Sequence, residues 1–278
     1  MNKWIISLIS WILVATTYAQ QLDSLRHQRY VTRATTYGVG FTNVYDTYLS
    51  PVEYKGVEFR LMRESIRLTQ LADGKLSLQS LFQVHVAYTK NDVETGSCLS
   101  GLVNWNYALH YQFRIGEHLK LLAGGAGEIN GGFIYNMRNS NNPASAKAYL
   151  NLAASGMAIY NFRIKKYPMT LRYQCNLPLL GVMFSPDHHQ SYYEIFTLGH
   201  ANKVVRFTSL HNQPSLRQMV SLDFPIRDSK MRVSYVCDLQ QSHLNGLRTH
   251  TYSHAFLIGF VKTYYLIRNK RPQPMPAY

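Results

Sequence analysis

The feature that most constrains this chain is a run of strict alternation at residues 103–113. Apolar side chains, many of them aromatic, occupy every second position, and polar or small side chains occupy the positions between them. A period of two places the two sets on opposite faces of a sheet. The run is about as long as a tilted β-strand that crosses a membrane, roughly 9–11 residues. A strand at the edge of a soluble sandwich would show the same pattern, so the prediction of a transmembrane strand depends on its recurrence.

The pattern does recur, and turn chemistry separates the runs. Alternating segments lie at residues 35–42, 56–62, 76–89, 103–114, 119–135, 149–163, 169–177, 204–211, 217–224, 231–239 and 249–261. No linker, low-complexity stretch or second domain interrupts them. They predict an all-β fold, a single antiparallel transmembrane β-barrel.

The turns predict the number of strands. Residues 113–121, 162–173 and 224–233 repeat one short connection, a strand end of the form Phe-x-Ile followed by an apolar-basic-apolar restart, and Asp73-Gly74 makes a fourth tight turn. Short connections are typical of the periplasmic side, and bacterial single-chain barrels normally have an even number of strands. If all four turns share that side, one more strand is required between Ile164 and Pro225, and residues 192–198 are the candidate. The count predicts about twelve strands, with both termini on the periplasmic side.

The N-terminus predicts export. Lys3 precedes an apolar run at residues 4–15, and Thr17-Tyr18-Ala19 offers small residues to a signal peptidase. The alternative, a membrane anchor, would need a longer apolar run. The predicted organisation is a signal peptide at 1–19, a basic N-terminal segment at 20–33, the barrel at 34–264 and a basic, Pro-rich tail at 265–278, in the outer membrane of a Gram-negative cell.

Composition narrows the class further. After Ala19 no run of about 18 apolar residues remains, which excludes a helical membrane protein and leaves a barrel or a pair of large soluble sandwiches. The net charge of +14 suits an anionic partner. An exported protein does not encounter nucleic acid, so outer-membrane lipid or small anionic solutes are the expected partners. Cys98, Cys175 and Cys237 have no spacing typical of a disulfide framework or a zinc site, and no cofactor or metal is expected.

Five basic residues are predicted to lie on inward positions beside the short turns: Arg114, Lys120, Arg163, Arg172 and Arg232. Together they would form a basic ring at the periplasmic mouth and favour anionic solutes. The alternative is that rim residues are charged only because both ends of a barrel are wet.

The sequence does not establish a catalytic site. The candidates are His188, His189, Ser191 and Glu194 in one loop, and His85 and His110 on the predicted inner face. A nucleophile needs a base within hydrogen-bond reach, and proximity along a loop does not supply that geometry. An enzyme is therefore not the favoured class.

Several segments resemble a known family. Pro-Leu-Leu-Gly at 178–181, Phe-Ser-Pro at 184–186 and Gln-Ser-Tyr-Tyr-Glu-Ile-Phe at 190–196, together with the Phe-x-Ile turns, are similar to an uncharacterised family of predicted outer-membrane β-barrels from Bacteroidota-type bacteria, a domain of unknown function. The resemblance covers about residues 35–261 and implies location and fold but no activity. His188-His189 replace the glycine-containing turn expected there.

Three functions stay open for such a barrel. The first is a narrow, porin-like channel or a barrel that binds small anionic solutes. The second is a structural or assembly-partner barrel with a plugged lumen, and the third is a lipid-acting enzyme. Twelve strands would enclose a lumen wide enough for a narrow pore, yet narrow enough for long side chains to fill. The sequence does not decide between these outcomes.

Overall fold

The computed structural model describes residues 30–69, 71–140, 142–187, 190–200, 202–227 and 229–265. The predicted signal peptide, most of both basic terminal segments, His188 and His189 lie outside these residues. The described chain is almost entirely β-structure. Its strands are β1 Tyr30–Asp46, β2 Ser50–Leu68, β3 Leu76–Lys90, β4 Ser97–Ile115, β5 Leu119–Asn136, β6 Ala144–Ile164, β7 Tyr167–Phe184, β8 Val205–Ser209, β9 Leu216–Ile226, β10 Ser229–Leu244 and β11 Leu247–Tyr265. One short helix, α1 Tyr192–Phe196, and a 3-10 turn, Leu71–Gly74, complete the described elements.

Ten of the strands close into an antiparallel barrel. Strands β1 to β7 pair in chain order. β7 then pairs with β9, and β9, β10 and β11 complete the ring in that order. The ring closes where β1 and β11 pair from Tyr30↔Tyr265 to Asp46↔Thr249. An eleventh strand, β8, lies outside the ring. Closure gives every strand in the ring a hydrogen-bonded neighbour on each side, so no ring strand is a sheet edge.

The predicted strand at residues 192–198 is wrong, and so is the count of twelve. Tyr192–Phe196 forms α1, because Ser191 and Glu194 make a capping box that satisfies the first backbone N–H groups of a helix. Tyr192 and Phe196 stand one helical turn apart and stack with their ring centroids 6.2 Å from each other. Local capping and this aromatic pair therefore outweigh the strand propensity of the segment.

The number of strands in the ring is nevertheless even, as predicted, but for a different reason. β8 and β9 both run antiparallel to β7. β8 pairs with the C-terminal part of β7, as in Phe184↔Val205, and β9 pairs with the earlier part, as in Asn176↔Arg217. They follow one another along the same side of β7, so β8 adds no further strand to the ring. Only two ring strands, β7 and β9, thus separate the β6–β7 turn from the β9–β10 turn, and the sequence count took β8 for a separate ring strand.

The four short turns and both ends of the described chain lie at one end of the barrel, called the short-turn end here. The other connections, including α1 and β8, lie at the opposite, long-loop end. The shared side of the four turns is as predicted. That the short-turn end faces the periplasm stays a prediction.

The two faces of β4 divide as the alternation predicts. The side chains of Trp105, Tyr107 and Leu109 point outward and are 42–49% exposed. Asn106 and His110 point inward and are fully buried. The predicted assignment of faces is confirmed, and the polar set forms the interior of the barrel.

A belt of apolar side chains covers the outer wall. On β2 the outward residues between Lys55 and Arg63 are Val57, Phe59 and Leu61, and on β11 those between His254 and Lys262 are Phe256, Ile258 and Phe260. Eight residues along a tilted strand rise by about 20 Å, close to the apolar band of outer-membrane barrels. Among the described residues, no helix is long and apolar enough to cross a membrane.

We expect an arginine in the middle of this belt to oppose insertion. Phe59 lies midway between Lys55 and Arg63 on β2 and faces outward. Phe59→Arg should make folding into lipid vesicles less favourable by about 2–4 kcal/mol, since charge is costliest at the bilayer midplane. Urea titration of vesicle-inserted protein measures the difference.

Ile115→Arg is the matched control, because Ile115 is also exposed but ends β4 at the short turn. Near the interface the same substitution should cost about 0–1 kcal/mol. Equal losses at the two positions would contradict the placement of the belt.

Candidate functional site

The interior of the barrel is filled by charged and amide side chains that bind one another. They form two groups at different levels along the barrel axis, and the group nearer the long-loop end is called the upper network. The upper network consists of Glu58, Arg60, Glu128, Arg217 and Asp238, and the lower network consists of Glu64, Arg172, Asp223 and Arg232. Since unpaired buried charges are costly, the pairing inside these networks decides whether such an interior can exist.

Arg60 is the centre of one half of the upper network and is fully buried. Its Nε donates to Glu58 Oε1 at 3.0 Å, and its Nη1 donates to Gln83 at 3.1 Å. Its Nη2 donates to Ser253 Oγ at 2.7 Å and lies 3.3 Å from His85 Nδ1. The guanidinium thus links three strands on one side of the barrel, β2, β3 and β11.

Arg217 holds the other half. Its Nε donates to Asp238 at 3.2 Å, and its Nη1 lies within 3.3 Å of both Glu128 and Asn104. Asp238 is also 3.5 Å from Arg60, so the two arginines share one carboxylate. The network contains three carboxylates and two guanidinium groups. The excess negative charge is offset by neutral donors: Ser253 donates to Glu58, Asn106 to Glu128 and Gln240 to Asp238.

The lower network is balanced, with two carboxylates and two guanidinium groups. Arg172 donates to both oxygens of Glu64 at 2.7 Å, a bidentate pair. Arg232 also donates to Glu64 and forms a second bidentate pair with Asp223 at 2.5 and 2.7 Å. Glu64 therefore joins arginines from β7 and β10 to β2 on the far side of the lumen.

Five residues were expected to form a basic ring, and the structure separates them. Arg172 and Arg232 are buried and neutralised by carboxylates. Arg114 and Arg163 are exposed at the short-turn end, and Lys120 is half-buried directly opposite Arg114 in the β4–β5 ladder. Only the last three could present positive charge at the mouth.

Two residues of the networks, Glu64 and Arg217, were not predicted to face inward. Glu64 lies beyond residue 62, where the second alternating run was expected to end, although β2 continues to Leu68. The period that joins Glu58, Arg60 and Met62 reaches Glu64 directly, so extending the alternation would have found it. Arg217 shares the inward period of Met219 and Ser221 and could have been found in the same way.

Little open space is left in the lumen. One cavity, lined by residues that include Glu128, Tyr149, Asn151, Arg217 and Asp238, has room for about one water molecule. A second, beside Asp46 and Lys147 toward the long-loop end, is of similar size. Asn151 Oδ1 and Ser215 Oγ, both at the first cavity, lack a hydrogen-bond partner, and one bridging water there would satisfy them.

His188 and His189 lie outside the described residues, and the other catalytic candidates do not assemble into a site. Ser191 and Glu194 cap α1. His85 lies in the upper network, and His110 Nε2 lies 2.8 Å from Ser155 Oγ. A serine next to a histidine is what a hydrolase requires, but both of these side chains are buried and no substrate can reach them.

Sulfur and metal chemistry has no assembled site in the described residues. No group of three or more His, Cys, Asp or Glu side chains is placed to hold a metal ion there. All three cysteines are free thiols. Cys98 is buried, and Cys175 and Cys237 are half-buried.

The segment that contains α1 packs onto the long-loop end. The phenol of Tyr48, in the β1–β2 turn, donates to the carbonyl of Gln190 at 3.0 Å, and the backbone N–H of Ala146 donates to the Tyr192 hydroxyl at 2.6 Å. Burial, together with the neighbouring Tyr192 and Asp46, raises the pKa of Tyr48 to about 12. The phenol therefore keeps its proton, and its hydrogen bond, throughout the physiological pH range.

The sequence matches a family model over residues 5–271, which is nearly the whole chain. The chain belongs to the family described as protein of unknown function, DUF3316. This confirms the resemblance to an uncharacterised domain, whereas the expected bacterial group stays a prediction. No curated protein has a sequence that matches this member of DUF3316.

Several solved barrels have similar shapes. The transport unit of the autotransporter AIDA-I from Escherichia coli is 7% identical, with a TM-score of 0.48 over 87% of this chain and 91% of that one. The outer membrane protease OmpT from Escherichia coli is 8% identical, with a TM-score of 0.46 over 84% and 97%. The translocator domain of NalP from Neisseria meningitidis is 9% identical, with a TM-score of 0.39 over 90% and 97%. Identities this low carry no activity from those proteins to this one.

Removing Glu64 tests the energetic role of the lower network. Glu64→Gln takes away the carboxylate shared by Arg172 and Arg232, and we expect it to lower the free energy of unfolding by about 3–5 kcal/mol, because buried charge is left without its partner. Urea unfolding in detergent or vesicles measures the loss.

Glu94→Gln is the control, because Glu94 forms an exposed ion pair with Lys90 at 3.2 Å. Its loss should change the free energy by less than about 1 kcal/mol. A Glu64 variant as stable as this control would show that the lower network does not hold the barrel together.

Proposed function

We propose that this protein is an integral outer-membrane β-barrel with a sealed lumen, and that it acts as a structural or assembly-partner component of the membrane. The observation that carries the proposal is the pair of networks that fill the lumen one above the other. A conducting pore needs a continuous hydrated path. Here the guanidinium of Arg217 on β9 reaches Asn104 on β4, and that of Arg172 on β7 reaches Glu64 on β2, so side chains cross the lumen at two levels.

The size of the barrel supports a sealed state. Ten strands enclose a narrower lumen than the twelve expected from the sequence. Arginine and glutamate side chains reach far enough to meet across it, as Arg172 on β7 meets Glu64 on β2. A permeating ion would have to separate such pairs, and breaking one buried pair costs about 3–5 kcal/mol.

The placement in the outer membrane rests on the outer wall. The apolar belt has a height that suits the hydrocarbon layer, and a closed antiparallel ring is the form in which strands cross it. The short-turn end would face the periplasm, since barrels of this class have short periplasmic turns and longer external loops. The long-loop end, with α1 and β8, would then be the surface offered to partners outside the cell.

We expect the purified barrel to be silent in a planar lipid bilayer. Because both networks block the path, no stepwise conductance should appear at voltages at which porins conduct. Insertion is verified separately by protease protection in vesicles, so that silence is not mistaken for failure to insert.

A variant that loses equal numbers of carboxylates and guanidinium groups tests whether an emptied lumen conducts. The changes Glu64→Ala, Arg172→Ala, Glu128→Ala and Arg217→Ala remove two carboxylates together with two of their partners. If this variant inserts, it should conduct, whereas Arg114→Ala with Arg163→Ala, at the exposed rim, should stay silent. Conductance by the unmodified protein, with a preference for anions that reverses in an Arg114→Glu, Arg163→Glu variant, would instead support a channel.

A further inference from the structure

Four basic side chains cluster on the outer wall at the short-turn end. They are Arg33 on β1, Arg63 and Arg67 on β2, and Lys262 on β11, and they are called the basic wall patch here. All four are exposed. Because β11, β1 and β2 are consecutive neighbours in the ring, the patch occupies a single face of the wall.

The register brings these side chains within reach of one ligand. Arg33 stands directly opposite Lys262 on one side and Ser65 on the other. Arg63 precedes Ser65 by two residues and Arg67 follows it by two, so they lie on the two diagonals from Arg33. Directly opposed Cβ atoms on one face are about 4.5–5.5 Å apart and diagonal ones about 7–8 Å. Long basic side chains at these separations can converge on a single small anion.

No described carboxylate neutralises the patch. None of the four side chains makes an ion pair or a side-chain hydrogen bond with another described residue. Glu64, between Arg63 and Ser65 in sequence, points into the lumen and is held by Arg172. The Arg33 guanidinium lies 5.4 Å from the ring centroid of Tyr264, a contact that orients it without satisfying its donors.

The other ends of the same strands are different. Lys55, at the long-loop end of β2, is 3.3 Å from Asp92, and His250 on β11 is 3.9 Å from Glu53. Lys55 there has an acidic partner, whereas the four residues of the basic wall patch have none among the described residues.

The patch also borders the apolar belt. Leu61 precedes Arg63 by two residues on the outer face, and Phe260 precedes Lys262 in the same way. Tyr264 continues that face and is 46% exposed, the position in which tyrosine marks a membrane interface. A ligand bound here would lie between the acyl chains of the bilayer and the surrounding water.

We propose that the basic wall patch binds the phosphate headgroup of an anionic phospholipid in the leaflet next to the short-turn end. Arginine matches phosphate with paired N–H donors, lysine adds a point charge, and the Ser65 hydroxyl lies at the centre of the group. The apolar belt directly beside the patch favours a lipid over a free phosphate, because only the lipid has chains to place there. The inference rests on the membrane insertion proposed above.

The test uses the full chain, refolded in phosphatidylcholine vesicles or in detergent, with phosphatidylglycerol as the probe. Native mass spectrometry counts bound phosphatidylglycerol over a titration. Arg33→Gln with Lys262→Gln should weaken binding about tenfold or more, since each basic group near a membrane surface adds to the attraction for anionic lipid. The charge-retaining pair Arg33→Lys with Lys262→Arg should restore most of it.

The matched control lies on the same strands at the other end. Lys55→Gln with Arg248→Gln removes two exposed basic residues from β2 and β11 and should leave the affinity unchanged. Inorganic phosphate, added without lipid, should not occupy the site at concentrations at which phosphatidylglycerol does. Occupation by phosphate alone would overturn the assignment to lipid.

The result is separable from the conductance experiment. If the protein inserts and stays silent but binds phosphatidylglycerol no better than its Arg33, Lys262 variant, the lipid site is wrong and the sealed barrel stands. If the protein fails to insert at all, membrane residence itself is wrong. Equal weakening by the control pair would show attraction by overall charge rather than a site.

Discussion

The need of buried charged side chains for partners inside a closed ring is the constraint on which the rest of this structure depends. The ring satisfies the backbone, so the side chains that point inward must satisfy one another. Glu64 shows how this is done: it accepts from Arg172 and Arg232, which come from two other strands, and so links distant parts of the wall. Strand number and register are both tied to that arrangement.

The same wall has opposite demands on its two faces. Inward positions carry arginine, glutamate and amide side chains, while outward positions such as Tyr107 and Phe256 remain apolar and exposed. A residue moved by one position along a strand would change face, so register is strongly specified wherever both faces have a defined partner. At the rims this demand relaxes, and there the four residues of the basic wall patch have no acidic partner among the described residues.

Much of the fold could be predicted because it depends on local periodicity. The alternation at β4 assigns Trp105 and Asn106 to opposite faces with no knowledge of any neighbour. The helix at Tyr192 could not be predicted from alternation, since aromatic residues suit a strand equally well. The signal for it was the pair Ser191 and Glu194 at capping-box spacing, which competes with strand formation only when the chain at that point leaves the sheet.

By itself, the sequence determined the class of this protein: a β-barrel with an apolar exterior, a polar interior and an excess of basic residues. Those properties follow from side-chain type and a period of two, which are local. Only the tertiary structure decided that ten strands close the ring, that Arg172 and Arg232 are neutralised, and that Arg33 meets Lys262. Arg172 and Glu64 are 108 residues apart, and Arg232 and Glu64 are 168 apart. Such pairs exist only once closure and register bring distant strands to the same level of the lumen, which no local pattern encodes.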